Sequence, residues 1–365
     1  LQSRSGHARS HRTLVFGAGE AGEQISSALL KDQRTDLDPV AFLDDDPTKR
    51  RLNVNGIHVV GTRDDIAEAA RRFEADTLLL AMPGAAQADV SAIADLGQIA
   101  GLTVKILPSV HSLTSPNVRV ADIRDIELAD FLDRDEVEID DAEVRALVEG
   151  RTILVTGAGG SIGSVLCSTI LEYGPRRLVM LDHDENALHR LQLAVEGHGL
   201  LESPDLILCD IRDAESLSTV FAATRPDVVF HAAAHKHVTF LERFPAEGVK
   251  TNVDGTTNVL SAAADAGVER VINISTDKAA DPINVLGTTK RAAERITAHF
   301  DTISTGRYLS VRFGNVLGSN GSVIPTFVEQ INHGHPITVT DPKATRYFMT
   351  AEEAVLLTLQ AAALG

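Results

Sequence analysis

The chain has 365 residues, 44% of them hydrophobic but only 4% aromatic, with no tryptophan. That length carries two or three domains with full cores, and a composition led by Ala, Val, Leu and Gly suits α/β architecture better than a β-sandwich. A net charge of −17 argues against nucleic acid as a partner, because neutralising phosphates takes clustered Lys and Arg.

Residues 1–12, LQSRSGHARSHR, are basic through Arg4, Arg9 and Arg12 in an otherwise acidic chain. Excess Lys and Arg marks the cytoplasmic flanks of membrane spans, so this stretch reads either as a solvated tail or, more sharply, as a juxtamembrane-like tail cut from a longer protein. No apolar run reaches the roughly 18 residues of a span. The fragment is expected to be soluble, and the full-length protein to sit at the cytoplasmic face of the inner or plasma membrane through a preceding segment.

Residues 13–110 read as a Rossmann-like domain. TLVFGAGEAG (13–22) is an apolar strand entering a turn at Gly17, Gly19 and Gly22, and VAFLDDD (40–46) is a second strand ending in acid at Asp44. TLLLAMP (77–83), a helix near 86–100 and TVKILPS (103–109) continue the alternation. Strand, glycine turn, helix, strand and acid form the dinucleotide-binding unit. No catalytic set follows, so a regulatory ligand site or a scaffold is expected here. Residues 111–150 are acidic and weakly periodic but rich in Ile, Leu and Val, and read as a connector packed along the next domain rather than a free linker.

Residues 151–365 repeat the theme more completely. TILVTGAGGSIG (152–163) leads into Gly157, Gly160 and Gly163, RLVMLDHD (177–184) ends in Asp182, and LILCD (206–210), DVVFHAAAH (227–235), RVINIST (270–276) and YLSVRFGN (308–315) alternate with helical patterns. Two tandem Rossmann-like domains follow, the second a doubly wound parallel sheet. The apolar ending LLTLQAAALG reads as a truncated helix.

The second glycine turn predicts a cofactor site. Gly157 permits the turn, Gly160 admits a pyrophosphate, Gly163 packs helix on strand, and the helix opening at Ser161 and Ile162 offers free N–H groups. Asp182 would accept hydrogen bonds from a ribose diol and repel a 2′-phosphate, which favours NAD over NADP. Asp210 and Ile211 would flank the adenine, with Ala232 beside the cofactor at the fourth strand end. His231, His235 and His237 lack an acid to complete a metal set, so no metal is expected. Cys167 and Cys209 read as reduced core thiols.

STDKAADPINVLGTTK (275–290) raises a question of its own. A short-chain dehydrogenase keeps a tyrosine four residues before the lysine that corresponds to Lys290, and here that position is Leu286. Taken alone, Thr276 and Asp277 are ordinary turn residues. The longer motifs VTGAGGSIGS, HAAAHKHV, NVDGTTNVL, STDKAADPINVLGTTKR, VRFGNVLGSNGSVIPTF and ITVTDPKATRYFMT resemble the extended short-chain dehydrogenases that act on nucleotide sugars. The likeness is nearest to the membrane-associated UDP-N-acetylglucosamine 4,6-dehydratases. It extends to the first domain through GAGEAG. Its membrane-associated branch also lacks the tyrosine, usually with Met in its place.

The resemblance implies a tightly held NAD that takes hydride from C4 of a UDP-sugar, loss of water across C5 and C6, and hydride return to C6. It implies Thr276 as the contact of the C4 hydroxyl and a proton relay, Asp277 as acid to the departing C6 oxygen, and Lys278 as base at C5. Lys290 would hold the nicotinamide ribose. Those roles need Asp277 protonated beside a Lys278 whose basicity is lowered by burial and by the nicotinamide charge. Lys236 and Asn252 are implied near the substrate, Asn252 as a structural or a substrate contact, and Asn315 and Arg346 as grips on the UDP diphosphate. A homo-oligomer is expected. A UDP-sugar 4-epimerase and a non-catalytic nucleotide-sugar sensor remain as alternatives.

Overall fold

The computed structural model describes residues 10–32, 35–107, 119–126, 140–319, 321–339 and 341–365. The chain falls into two compact units, Leu1–Asp135 and Glu136–Gly365.

The first unit is a seven-stranded sheet. Its strands are β1 (His11–Phe16), β2 (Leu37–Leu43), β3 (Asn53–Val54), β4 (Ile57–Gly61), β5 (Thr77–Leu80), β6 (Thr103–Ile106) and β7 (Arg124–Asp125). They lie in the order β3-β4-β2-β1-β5-β6-β7. Helices α1 (Glu20–Lys31), α2 (Ile66–Arg72) and α3 (Gln87–Ile99) connect them. β5 reads TLLL and is buried at every position, as a central parallel strand covered on both faces should be.

The expected connector over 111–150 is not one element. Most of it lies outside the described residues. Of the rest, β7 pairs antiparallel with β6, Asp125 opposite Lys105, and so extends the first unit's sheet. Helix α4 (Asp141–Val148) buries Val144, Leu147 and Val148 in the core of the second unit. The apolar residues that mark the segment as ordered therefore serve two cores, not one.

The second unit holds a six-stranded parallel sheet of β8 (Thr152–Thr156), β9 (Arg177–Asp182), β10 (Leu206–Leu208), β11 (Val228–His231), β12 (Arg270–Thr276) and β13 (Arg307–Phe313). Its order is β10-β9-β8-β11-β12-β13, the doubly wound arrangement. Alternate residues of β8 serve opposite faces. Ile153 and Val155 join Leu166 and Ile170 of α5 (Ser161–Glu172), while Leu154 joins Leu217 and Phe221 from α7 (Ala214–Thr224). Helix α6 (Glu185–Glu196) lies between α5 and α7 in sequence.

After β11 come α8 (Val238–Arg243), α9 (Pro245–Gly248), a seven-residue π-helical turn over Val249–Gly255 and α10 (Thr256–Asp265). Helix α11 (Val285–Ile303) leads from β12 to β13. The pair β14 (Asn315–Val316) and β15 (Phe348–Met349) flanks α12 (Val323–Asn332), and α13 (Ala351–Leu364) closes the unit. Among the described residues no helix is long and apolar enough to cross a membrane.

Several strands stop earlier than the sequence pattern suggests. β5 ends at Leu80, β10 at Leu208 and β11 at His231. Beyond each, the chain leaves the sheet at the carboxyl edge, where a doubly wound fold opens its ligand crevice.

Candidate active site

The crevice opens where the strand order reverses, between β8 and β11. Gly157 turns the chain there at φ +66, and a Cβ on it would meet Ala233 N at 2.6 Å. A Cβ on Gly163 would meet Gly157 O at 2.1 Å, so α5 can pack this close to the turn only without a side chain. The start of α5 carries no acid in its first turn, so nothing there opposes the attraction of its dipole for an anion. Asp182 is 6% exposed. Its Oδ2 accepts Gly159 N–H at 3.0 Å and its Oδ1 accepts Asp184 N–H at 3.1 Å. Asp182, Asp210 and Ile211 line one lobe of about 270 Å³, and Gly157 and Ala232 also line an adjoining lobe of about 570 Å³. Ser161, Ile162, Lys236 and Lys290 line the larger lobe. A glycine cradle, an acid-free helix start and a carboxylate on the next strand fit a dinucleotide carrying an unphosphorylated ribose diol.

Lys290 is 4% exposed on α11. Burial pushes its ammonium down to about 8, against the opposing pull of Glu294 one turn further on. Leu286, one turn before it, is buried and lines the larger lobe, so the tyrosine's place holds only hydrocarbon.

Thr276 ends β12 and lines the same lobe. Its hydroxyl donates to Asp277 Oδ1 at 2.9 Å and accepts Lys278 N–H at 3.4 Å. Lys278 Nζ donates to Asp277 Oδ1 at 3.0 Å and to Asn315 Oδ1 at 2.8 Å. Asp277 is exposed and is not among the residues lining the lobe. Partial burial would raise its carboxyl, but the bonds from Lys278 and Thr276 outweigh it and hold Asp277 below the usual carboxylate range. In this conformation Asp277 is therefore a carboxylate, not yet the acid that its implied role needs.

The remaining expected contacts divide. Lys236 reaches the larger lobe. Asn252 is fully buried and unavailable to a substrate. Its Oδ1 accepts His235 N–H at 2.8 Å, and its Nδ2 donates to His235 O at 3.0 Å and Thr289 Oγ1 at 3.1 Å. Asn252 thus pins the loop that carries Lys236. Of its two roles, the structure supports the structural one. Asn315 lines the lobe but is engaged by Lys278. Arg346 is exposed, donates to Thr345 O at 2.7 Å and does not line the lobe, so this conformation gives no grip on a diphosphate there.

His231 is the last residue of β11. Thr256 spends its hydroxyl proton on Asn252 O, so His231 Nε2 donates to Thr256 Oγ1 at 3.0 Å and Nδ1 accepts from Thr156 at 2.7 Å. Burial, aided by Lys290, pushes the ring down to about 3 and keeps it neutral. No group of three or more His, Cys, Asp and Glu that could hold a metal occurs among the described residues. Both cysteines are free and buried.

Sequence reasoning missed Ser275, Glu294 and Arg312. Glu294 Oε1 accepts Ser275 Oγ at 2.6 Å and Arg312 Nε at 2.6 Å, and Oε2 accepts Arg312 Nη2 at 2.5 Å. The signal was Glu294's i,i+4 spacing from Lys290, which puts both on one helix face.

The first unit repeats the turn without the same welcome for an anion. Asp44 Oδ2 accepts Ala18 N–H at 2.7 Å and Lys49 Nζ at 2.8 Å, and Oδ1 accepts Asp46 N–H at 2.9 Å. Its crevice is about 410 Å³, but the first turn of α1 carries Glu20 and Glu23. Carboxylates there oppose a diphosphate.

Comparison with known proteins fixes the family. A family model described as a polysaccharide biosynthesis protein matches residues 153–365, more than half of the chain. The chain belongs to this family. A CoA-binding domain model matches residues 1–108, although the start of α1 is a poor fit for the diphosphate of CoA. The "Probable polysaccharide biosynthesis protein EpsC" of Bacillus subtilis is 40% identical over 98% of this chain and 60% of its own length. The chain thus spans about 60% of the length of such curated relatives. An inverting UDP-N-acetylglucosamine 4,6-dehydratase of Campylobacter jejuni is 37% identical over 57% of this chain and 62% of its own. A UDP-glucose 4-epimerase of Rickettsia rickettsii is also 37% identical, over 58% and 62%. Among solved structures, the dTDP-glucose 4,6-dehydratase DesIV of Streptomyces venezuelae, with NAD bound, is 25% identical at a TM-score of 0.50, covering 56% of this chain and 71% of its own.

Proposed function

We propose that the second unit is an NAD-dependent nucleotide-sugar dehydratase that converts UDP-N-acetylglucosamine to its 4-keto-6-deoxy derivative for glycan synthesis. One observation carries this reading: Thr276 and Lys278, both hydrogen-bonded to Asp277, line a cleft shared with a dinucleotide cradle and Lys290, where Leu286 stands in place of the usual tyrosine. NAD, when bound, supplies a hydride acceptor and returns the same hydride.

The glycine turn and α5 hold the diphosphate, Asp182 the adenosine ribose, and Lys290 the nicotinamide ribose. Thr276 Oγ1 bonds the C4 hydroxyl and relays its proton to solvent. Lys278 takes the C5 proton and gives it back to C5 as hydride returns to C6, while Asp277 protonates the departing C6 oxygen and solvent restores that one proton to the pair. The Asp277–Lys278 salt bridge already holds the number of protons this needs. A sugar that excludes water disfavours the separated charges. Moving one proton across the 3.0 Å contact, from Nζ to Oδ1, then gives the neutral acid and the free amine. Asp277 has to turn toward the lobe to act.

A 4-epimerase shares the C4 hydride step, and the equal identity to the Rickettsia enzyme favours it as the second reading. It has no use for an acid and a base at C6 and C5. Incubation with UDP-N-acetylglucosamine separates the two by mass and NMR. A keto sugar 18 mass units lighter, the loss of one water, supports the dehydratase, whereas UDP-N-acetylgalactosamine supports the epimerase. Recovery of unchanged substrate overturns both.

A further inference from the structure

In a member of the superfamily with the usual pattern, the tyrosine and the lysine ride one turn apart on the same helix. Their geometry is then fixed by the helix itself. Here the two jobs sit on different elements, with Thr276 at the end of β12 and Lys290 on α11. Something has to hold strand and helix in register.

Asn273 Nδ2 to Thr297 Oγ1, at 3.0 Å, does so lower in the sheet. At the catalytic end the side chain that spans the gap is Glu294. Its carboxylate is 10% exposed and takes donors from two strands, Ser275 on β12 and Arg312 on β13, which face each other in register. Ser275 directly precedes Thr276. Arg291 adds its charge at 3.6 Å. Burial would raise the Glu294 carboxyl, but the Arg312 and Ser275 bonds prevail and keep it ionised.

We infer that Glu294 is a positioning residue, a clasp that binds the Ser275–Thr276 strand end to α11 and so sets where the Thr276 hydroxyl meets the sugar. The inference rests on the proposed reaction for its kinetic consequence, though not for its structural one. Misplacing a reacting group by about 1 Å can cost a hundredfold. Glu294→Gln keeps the shape but surrenders the ionic bonds to Arg312, and should lower kcat about ten- to a hundredfold while KM changes less than about threefold.

The decisive measurement is a cycle of Thr276→Val, Glu294→Gln and the double variant. If Glu294 acts through Thr276, the double variant is no slower than Thr276→Val alone. Two losses that multiply would overturn the clasp and leave Glu294 a stabilising residue only. Hydrogen exchange of the NAD-free chain tests the same point without turnover. Amides in 274–279 should exchange about tenfold faster in Glu294→Gln, with the rest of β12 little changed. Unchanged exchange there sinks the proposal. A wild-type protein that makes no keto sugar sinks the dehydratase reading alone, and the exchange result then decides the clasp.

Discussion

Lys290 makes the second unit less stable than it need be. Its ammonium is almost wholly buried and is pushed from 10.5 down to about 8. The folded state therefore binds this proton less tightly than the unfolded chain. A group whose folded value is depressed in this way destabilises the fold while it is charged, below the folded value. The cost shrinks as pH rises from about 8 to 10.5 and is gone above that. A drop from 10.5 to about 8 corresponds to about 3 kcal/mol. Lys290→Met keeps the stem and removes the charge. The variant should be more stable than wild type by up to about 3 kcal/mol at pH 7, and the advantage should fade by pH 10. It should also lose nearly all turnover. The three tyrosines, Tyr173, Tyr308 and Tyr347, all lie in the second unit and the chain has no tryptophan, so tyrosine fluorescence during urea unfolding follows that unit alone. A Lys290→Met protein no more stable at pH 7, or equally advantaged at both pH values, would refute the reasoning.

Asp277→Asn and Lys278→Met should each cut turnover about 10²–10⁴-fold, with enzyme-bound reduced nicotinamide accumulating in the absorbance record; near wild-type rates would reduce the pair to turn chemistry. Leu286→Tyr should change turnover less than about tenfold, because the relay runs through Thr276, and a several-hundredfold gain would contradict that role. Gly163→Ala drives a Cβ into Gly157 O and should abolish dinucleotide binding measured by calorimetry, while binding within a few-fold of wild type would mean the turn can shift. His231, held neutral by burial with its ring near 3 in the fold against an ordinary 6.5, should withdraw stability as pH falls below about 6.5. His231→Gln should lessen that loss in acid melts.

Local features of this molecule were legible in its residues, and long-range ones were not. The two glycine turns, the acid just after β2, the acid ending β9 and the alternation of strand and helix are written in short stretches, because each depends on backbone freedom or periodicity within a few residues. Leu286 was found because a motif leaves a marked place for it. Asn252 sits in an ordinary polar run, and only folding shows it bonding a loop 17 residues away. The division of 119–126 and 140–150 between two cores is a matter of packing, not of composition. Glu294 looks like any helix-surface acid until β12 and β13 bring Ser275 and Arg312 to it.

Asp182 carries a further consequence. Its two oxygens are tied down by amides of the glycine turn and of its own strand end before any nucleotide arrives. The ribose therefore meets a carboxylate that cannot swing aside, and the choice between diol and 2′-phosphate is made when the chain folds rather than when the ligand binds. A redesign toward the phosphorylated dinucleotide cannot stop at Asp182. It has to supply new partners for both amides, or the turn that cradles the diphosphate loses its shape together with its preference.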